Sequence, residues 1–254
     1  MIPIININDS DLNIDYDYKF RDCVESNTYL SKYKNEHVIT KFFINEEAIE
    51  NKINKIKLIK ERTKGTDIVV TADAFIENEG KITGYMMEYI KGINVYNTHL
   101  LLKKEKLIWY LKELAKGIRE LHKLGIIVGD FAHNTIVKND KLYFIDHDNF
   151  IIDNFGIDQS NRLIRIYQEK TDKLDENLDF YILNLYTFSL LRHYNLPFIP
   201  EIYLRGSNIF NFRDPEVKKI FENTMKLNGS FNGELIIDKI DTVKDIKKIK
   251  SKIF

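Results

Sequence analysis

The stretch Asp179–Tyr194, DFYILNLYTFSLLRHY, is apolar on nearly every side of a helical wheel. A surface helix needs only one apolar stripe, so a helix that is hydrophobic all round must lie inside a shell of other elements. Lys103 to Leu124 supplies one layer of that shell. Leu107, Leu111, Leu114, Ile118 and Leu121 follow one another at alternating steps of four and three, and Gly125 stands where a C-terminal cap belongs. A coiled-coil seam would use the same spacing, but this one runs for too few heptads and has no partner repeat. The second half of the chain is therefore expected to be a helical core.

The first half has a different texture. From Asn27 to Ile44 the sequence alternates and is rich in β-branched and aromatic residues, which predicts two strands joined by a turn near Lys34-Asn35. Glu46 to Arg62 carries Ile49, Ile53, Ile56 and Ile59 on one helical face. Strands are expected again over Asp67–Ile76 and Lys81–Ile90, around the turn Glu77-Asn78-Glu79-Gly80. Further on, Thr135–Lys138 and Lys141–Ile145 read as a hairpin around Asn139-Asp140. Residues 151–178 are polar and aperiodic and read as a long loop. Asp214-Pro215-Glu216 opens another helix. The run from Asp241 to Phe254 puts Val243, Ile246, Ile249 and Ile253 on one face of a terminal helix. The order implies an α+β protein with a β-rich unit over residues 1–91, a helical unit over 92–254, a hinge near Tyr89–Gly92 and a ligand cleft between them.

Composition narrows the functional classes. Among 254 residues, 38 Lys+Arg balance 38 Asp+Glu, which excludes a protein-wide basic field for gripping nucleic acid. Cys23 is the single cysteine and cannot form an internal disulfide, so a reducing compartment is expected. The N-terminus lacks the basic and apolar regions of a signal peptide, and no stretch approaches the ~18 apolar residues of a membrane span. These features lead to the expectation of a soluble, cytoplasmic protein. The six histidines show no zinc spacing.

Chemistry concentrates in Leu121–Phe150, LHKLGIIVGDFAHNTIVKNDKLYFIDHDNF. A helix ends at a glycine, Asp130 follows in a loop, a hairpin comes next, and Asp146 and Asp148 stand at its far end. Antiparallel geometry brings the loop before the first strand beside the segment after the second, so Asp130, Asn134 and Asp146 are expected to converge. Such oxygen donors suit Mg²⁺ bridged to phosphates. The alternative is that each aspartate merely caps a turn.

These residues resemble the protein-kinase-like superfamily. Val128-Gly129-Asp130 stands in for H-R-D, and Asp146-His147-Asp148 for D-F-G. Val38-Ile39-Thr40-Lys41 looks like V-A-I-K, Met87-Glu88-Tyr89-Ile90-Lys91-Gly92 like a hinge, and Asn177-Leu178-Asp179 like the start of the family's central helix. The likeness covers roughly residues 25–195, in order. It implies a two-lobed kinase-like fold, with a small β-rich N-lobe and a shortened helical C-lobe, that moves the γ-phosphoryl of ATP to a hydroxyl. In that scheme Asp130 is the base, Lys41 meets the ATP phosphates, and Asp146 and Asn134 hold Mg²⁺ or Mn²⁺. Met87, with the backbone of Glu88 and Ile90, meets adenine, and Asp179 braces the catalytic loop. Lys41 would pair with Glu46, Glu47 or Glu50, of which Glu50 is favoured because it precedes Ile53 as the family glutamate precedes its own core position.

The chain also departs from the family pattern. Residues 22–27 carry no glycine where a glycine-rich loop would cover the phosphates. The catalytic loop is one residue short, so Thr135 takes the metal position without a gap and Asn134 with one; an amide oxygen is the better Mg²⁺ ligand. No arginine precedes Asp130 to capture a loop phosphate. The acceptor implied is a protein serine or threonine. Gly129 and Ala132 favour a small-molecule acceptor instead, and the missing glycines favour a binding module without turnover.

Overall fold

A computed structural model describes residues 1–22, 26–44, 49–156, 162–192, 212–227 and 231–249. Their architecture is mixed α+β with a mostly antiparallel sheet, divided into two compact units. The first holds Met1–Gly92 together with Tyr143–Asp148, and the second holds Ile93–Leu142 and Asn149–Phe254. The return of residues 143–148 to the first unit is not part of the expected 1–91 and 92–254 partition. Backbone pairing produces it: Phe144 donates to Ile68 and accepts from Val70, at 2.7 and 2.9 Å.

The first unit is a six-stranded sheet in the order β1-β5-β6-β4-β3-β2. Its strands are β1 (Ile4–Asn6), β2 (Leu12–Asp22), β3 (Ser26–Tyr33), β4 (Glu36–Phe43), β5 (Ala72–Asn78) and β6 (Lys81–Glu88). Only β1 and β5 run parallel. Lys34 and Asn35 both have positive φ, as do Glu79 and Gly80, the backbone that lets a tight turn match the strand twist. One sheet face buries Ile5, Leu12, Val38, Ala74, Ile76 and Met86 together. Alternation sends Lys41, Phe75 and Tyr85 to the other face, where helix α1 (Ile49–Arg62) buries Ile56 and Ile59. The expected strand from Asp67 begins only at Ala72, because Ile68 and Val70 spend their backbone groups on Phe144. The strands β1 and β2 lie ahead of Asn27, where the sequence pattern predicts no element.

The second unit is built on α3 (Lys104–Lys123) and α5 (Asn177–Arg192). All five stripe residues of α3 are fully buried, and on α5 every residue from Tyr181 to Leu191 is buried. Gly125 has φ +69° just past α3. Around this core lie α2 (Val95–Thr98), α4 (Arg162–Thr171) and α6 (Pro215–Lys226). Asp214 caps α6 by accepting from the amides of Glu216 and Val217. The strands β7 (Ile126–Ile127) and β10 (Ile151–Ile152) pair, and β8 (Thr135–Lys138) forms a hairpin with β9 (Lys141–Phe144) around Asn139 and Asp140, both at positive φ.

Two expectations are corrected here. Residues 151–178 are not one loop: they hold β10 and α4, whose Leu163, Ile164 and Tyr167 are buried. The C-terminal stretch is a 3-10 helix over Val243–Ile249 rather than an α-helix from Asp241, and residues 250–254 lie outside the described ones. No helix among the described residues is long and apolar enough to cross a membrane.

Candidate functional site

In the first unit the chemistry centres on Lys41. β-Alternation points this side chain to the α1 face of β4, directly opposite Tyr85 on β6. Its ammonium is buried and donates to both carboxylate oxygens of Asp148, at 2.8 and 3.0 Å, and to Asp146. The Tyr85 hydroxyl donates to Oδ1 of Asp148 at 2.9 Å. Close approach of the strands makes this possible. A Cβ on Gly84 would lie 2.2 Å from the Lys41 backbone oxygen, so only glycine fits there. Asp146 lies two residues past β9 at φ +63°, a left-handed conformation that aspartate tolerates better than most residues.

Burial works against the Lys41 charge, but Asp146 and Asp148 outweigh it and hold the ammonium well above its usual range. Burial would raise Asp148, yet Lys41 beside it keeps that carboxyl well below the carboxylate range. In Asp146 burial prevails over Lys41 and pushes the carboxyl up. Burial also pushes the Tyr85 phenol up, with the Asp148 charge adding to it. His147, between the two aspartates, is fully buried against the edge of the Tyr85 ring, and burial lowers it to about 4.

The remaining expected residues of this unit are more dispersed. Met87 is buried on β6 opposite Ile39, Glu88 is exposed at the end of the strand, and Ile90 is buried just beyond it. Glu50 does not pair with Lys41. It lies exposed in the first turn of α1, and the lysine's charge is taken by Asp146 and Asp148. Glu46 and Glu47 lie outside the described residues, as do 23–25, the centre of the stretch without glycines.

In the second unit the loop Val128–Thr135 is held from below. Asp179 is fully buried at the start of α5 and accepts from the backbone amides of Val128 (2.8 Å) and Gly129 (2.7 Å). His122, in the last turn of α3, lies 2.8 Å from the same carboxylate. Gly129 has φ +71°, and Asp130 N–H donates back to Val128 O at 2.8 Å, closing a γ-turn of the hand that L side chains resist. This turn sets Asp130, partly exposed, at the loop's crest.

Asn134 Nδ2 donates to the Asp130 carbonyl at 2.9 Å, while the amide's Oδ1 makes no hydrogen bond among the described residues. Thr135 is fully buried, with its hydroxyl bonded to Tyr110 (2.6 Å) and to Phe131 O (3.1 Å). Of the two metal-ligand candidates, Asn134 is thus the accessible one. Tyr110 is pushed up to about 12 by burial and stays a neutral hydroxyl. Tyr186 stacks on Tyr96 and reaches Ala132 O, completing an aromatic floor under the loop.

Sequence reasoning gives no role to Asp148, Tyr85 or His122. Tyr85 carries a usable signal: two strands of one sheet place it across from Lys41. No family model matches this chain, and no curated protein is significantly similar to it.

Proposed function

We propose that the protein is an ATP-dependent phosphotransferase that moves the γ-phosphoryl group to a hydroxyl, on a protein serine or threonine. The observation that carries this reading is the clamping of buried Lys41 by both aspartates of Asp146-His147-Asp148, more than a hundred residues away in the chain. Phosphoryl transfer uses a strand lysine to meet the phosphates and a nearby aspartate to meet their metal.

The donor set fits Mg²⁺ brought in with the nucleotide. Among the described residues no group of three or more His, Cys, Asp or Glu could hold a metal, and Mg²⁺ takes one or two protein oxygens together with phosphates and water. Asp146, a quarter exposed, would be such a ligand, and the family resemblance assigns a second to the Asn134 amide oxygen. When bound, the ion would neutralise charge on the phosphate oxygens. Lys41 would orient the phosphates, and Asp130 would orient the acceptor hydroxyl and take its proton. Met87, Glu88 and Ile90 would border the adenine. One lysine already saturated by two carboxylates also favours a second reading, a module that binds nucleotide without turnover.

Steady-state turnover of labelled ATP with Mg²⁺ or Mn²⁺, beside calorimetric nucleotide affinity, tests the assignment. Asp130→Asn should spare nucleotide binding and cut turnover by about 10²-fold or more. Asp146→Asn should weaken Mg²⁺-nucleotide binding as well. Nucleotide binding without turnover in the unaltered protein selects the binding module, and labelled small molecule in place of labelled protein selects a small-molecule acceptor. If Asp130→Asn loses affinity while Asp146→Asn keeps it, the roles are wrong.

A further inference from the structure

We propose that Asp148, rather than a carboxylate on helix α1, is the positioning residue for Lys41, an inference that rests on the phosphotransferase reading. Asp148 grips the ammonium through both oxygens, at 2.8 and 3.0 Å, and its side chain is only 3% exposed. A third bond, from Tyr85, fixes the carboxylate itself. Tyr85 is fully buried and faces Lys41 across the strand pair, so the anchor is tied to the same sheet as the residue it holds. Glu50, the α1 candidate nearest Ile53, is exposed and takes no part.

The two aspartates then divide their labour. Asp146 is a quarter exposed on a left-handed turn, whereas Asp148 is enclosed. Of the two, only Asp146 is accessible enough to meet a cation. Without Asp148, Lys41 and the metal would compete for Asp146.

The test compares Asp148→Asn, Asp148→Glu, Tyr85→Phe and Glu50→Gln in the full chain, reading kcat, the ATP KM and the Mg²⁺ concentration for half-maximal rate. Asp148→Asn should lower kcat about tenfold or more, because the ammonium that orients the phosphates loses its anchor. It should also raise the Mg²⁺ requirement, because Asp146 then carries the Lys41 contact alone. Asp148→Glu should restore part of both, Tyr85→Phe should give a smaller change in the same direction, and Glu50→Gln should match the unaltered protein. If Asp148→Asn does not fold, Asp148→Glu and Tyr85→Phe carry the comparison. An Asp148 or Tyr85 variant with unaltered kcat and Mg²⁺ requirement overturns the inference, as does a Glu50→Gln protein that reproduces the loss. An unaltered protein that binds no nucleotide overturns the phosphotransferase reading instead, and the two failures are distinct.

Discussion

At the scale of single residues, the lysine cluster depends on a glycine that never touches it through a side chain. Gly84 lies against the backbone of Lys41, and an added methyl would sit 2.2 Å from that carbonyl oxygen. Gly84→Ala must push β6 away from β4, at the cost of about 1–3 kcal/mol typical of overpacking. Denaturant unfolding should show this as a lower midpoint at unchanged slope. His147 supplies a second expectation. Its ring is fully buried, and its folded value near 4 lies below the ordinary 6.5. Between those values the unfolded chain binds the extra proton, so stability falls as pH drops from about 6.5 towards 4, by at most about 1.4 kcal/mol per pH unit. His147→Leu should flatten that part of the stability profile; an unchanged slope would place the sensitivity elsewhere.

At the scale of elements, α5 is more than a hydrophobic rod. Asn184 is fully buried in it and makes three bonds: Nδ2 to Thr224 Oγ1 (2.9 Å) and Glu234 O (2.8 Å), and Oδ1 from Ile236 N (2.8 Å). Truncating it to Ala strands those partners away from water, so Asn184→Ala should cost about 2–4 kcal/mol in chemical denaturation. A loss below 1 kcal/mol would mean that the segment 234–240 finds other partners. The elements differ in how well the sequence announces them, and the reason is physical. Lys34-Asn35 and Asn139-Asp140 are local turn signals, and the α3 stripe repeats over five positions, so each could be read without tertiary knowledge. In β2, Asp15, Tyr16, Asp17 and Tyr18 alternate, but the strand lies at the sheet edge with Tyr16 and Tyr18 more than half exposed, so its alternation does not sort inside from outside. Helix α4 buries three residues in a charged sequence, too few to stand out as a period. The site divides similarly. Asp130, Asp146 and Asp179 stand out by motif, whereas the choice of Asp148 over Glu50 as partner of Lys41 depends on a fold-back of more than a hundred residues that no local pattern encodes.

For the molecule as a whole, the decisive fact is that its first unit is discontinuous in the chain. A fragment of residues 1–92 keeps the strand carrying Lys41 but lacks both carboxylates that neutralise it. An uncompensated buried charge costs about 3–5 kcal/mol, much of what a small domain has to spare. The fragment should therefore show no cooperative thermal transition by circular dichroism, and Lys41→Met in the same fragment should recover one. A cooperative transition in the unaltered fragment would mean that Lys41 finds water or another partner there. The same discontinuity sets a clock on synthesis. The ribosome releases the first unit's six strands well before residues 146–148, and at about 5–20 residues per second the missing carboxylates follow several seconds later. Through that interval the lysine strand is already made while its counter-charge is not, and the acid arrives only after the hairpin β8–β9 has been synthesised.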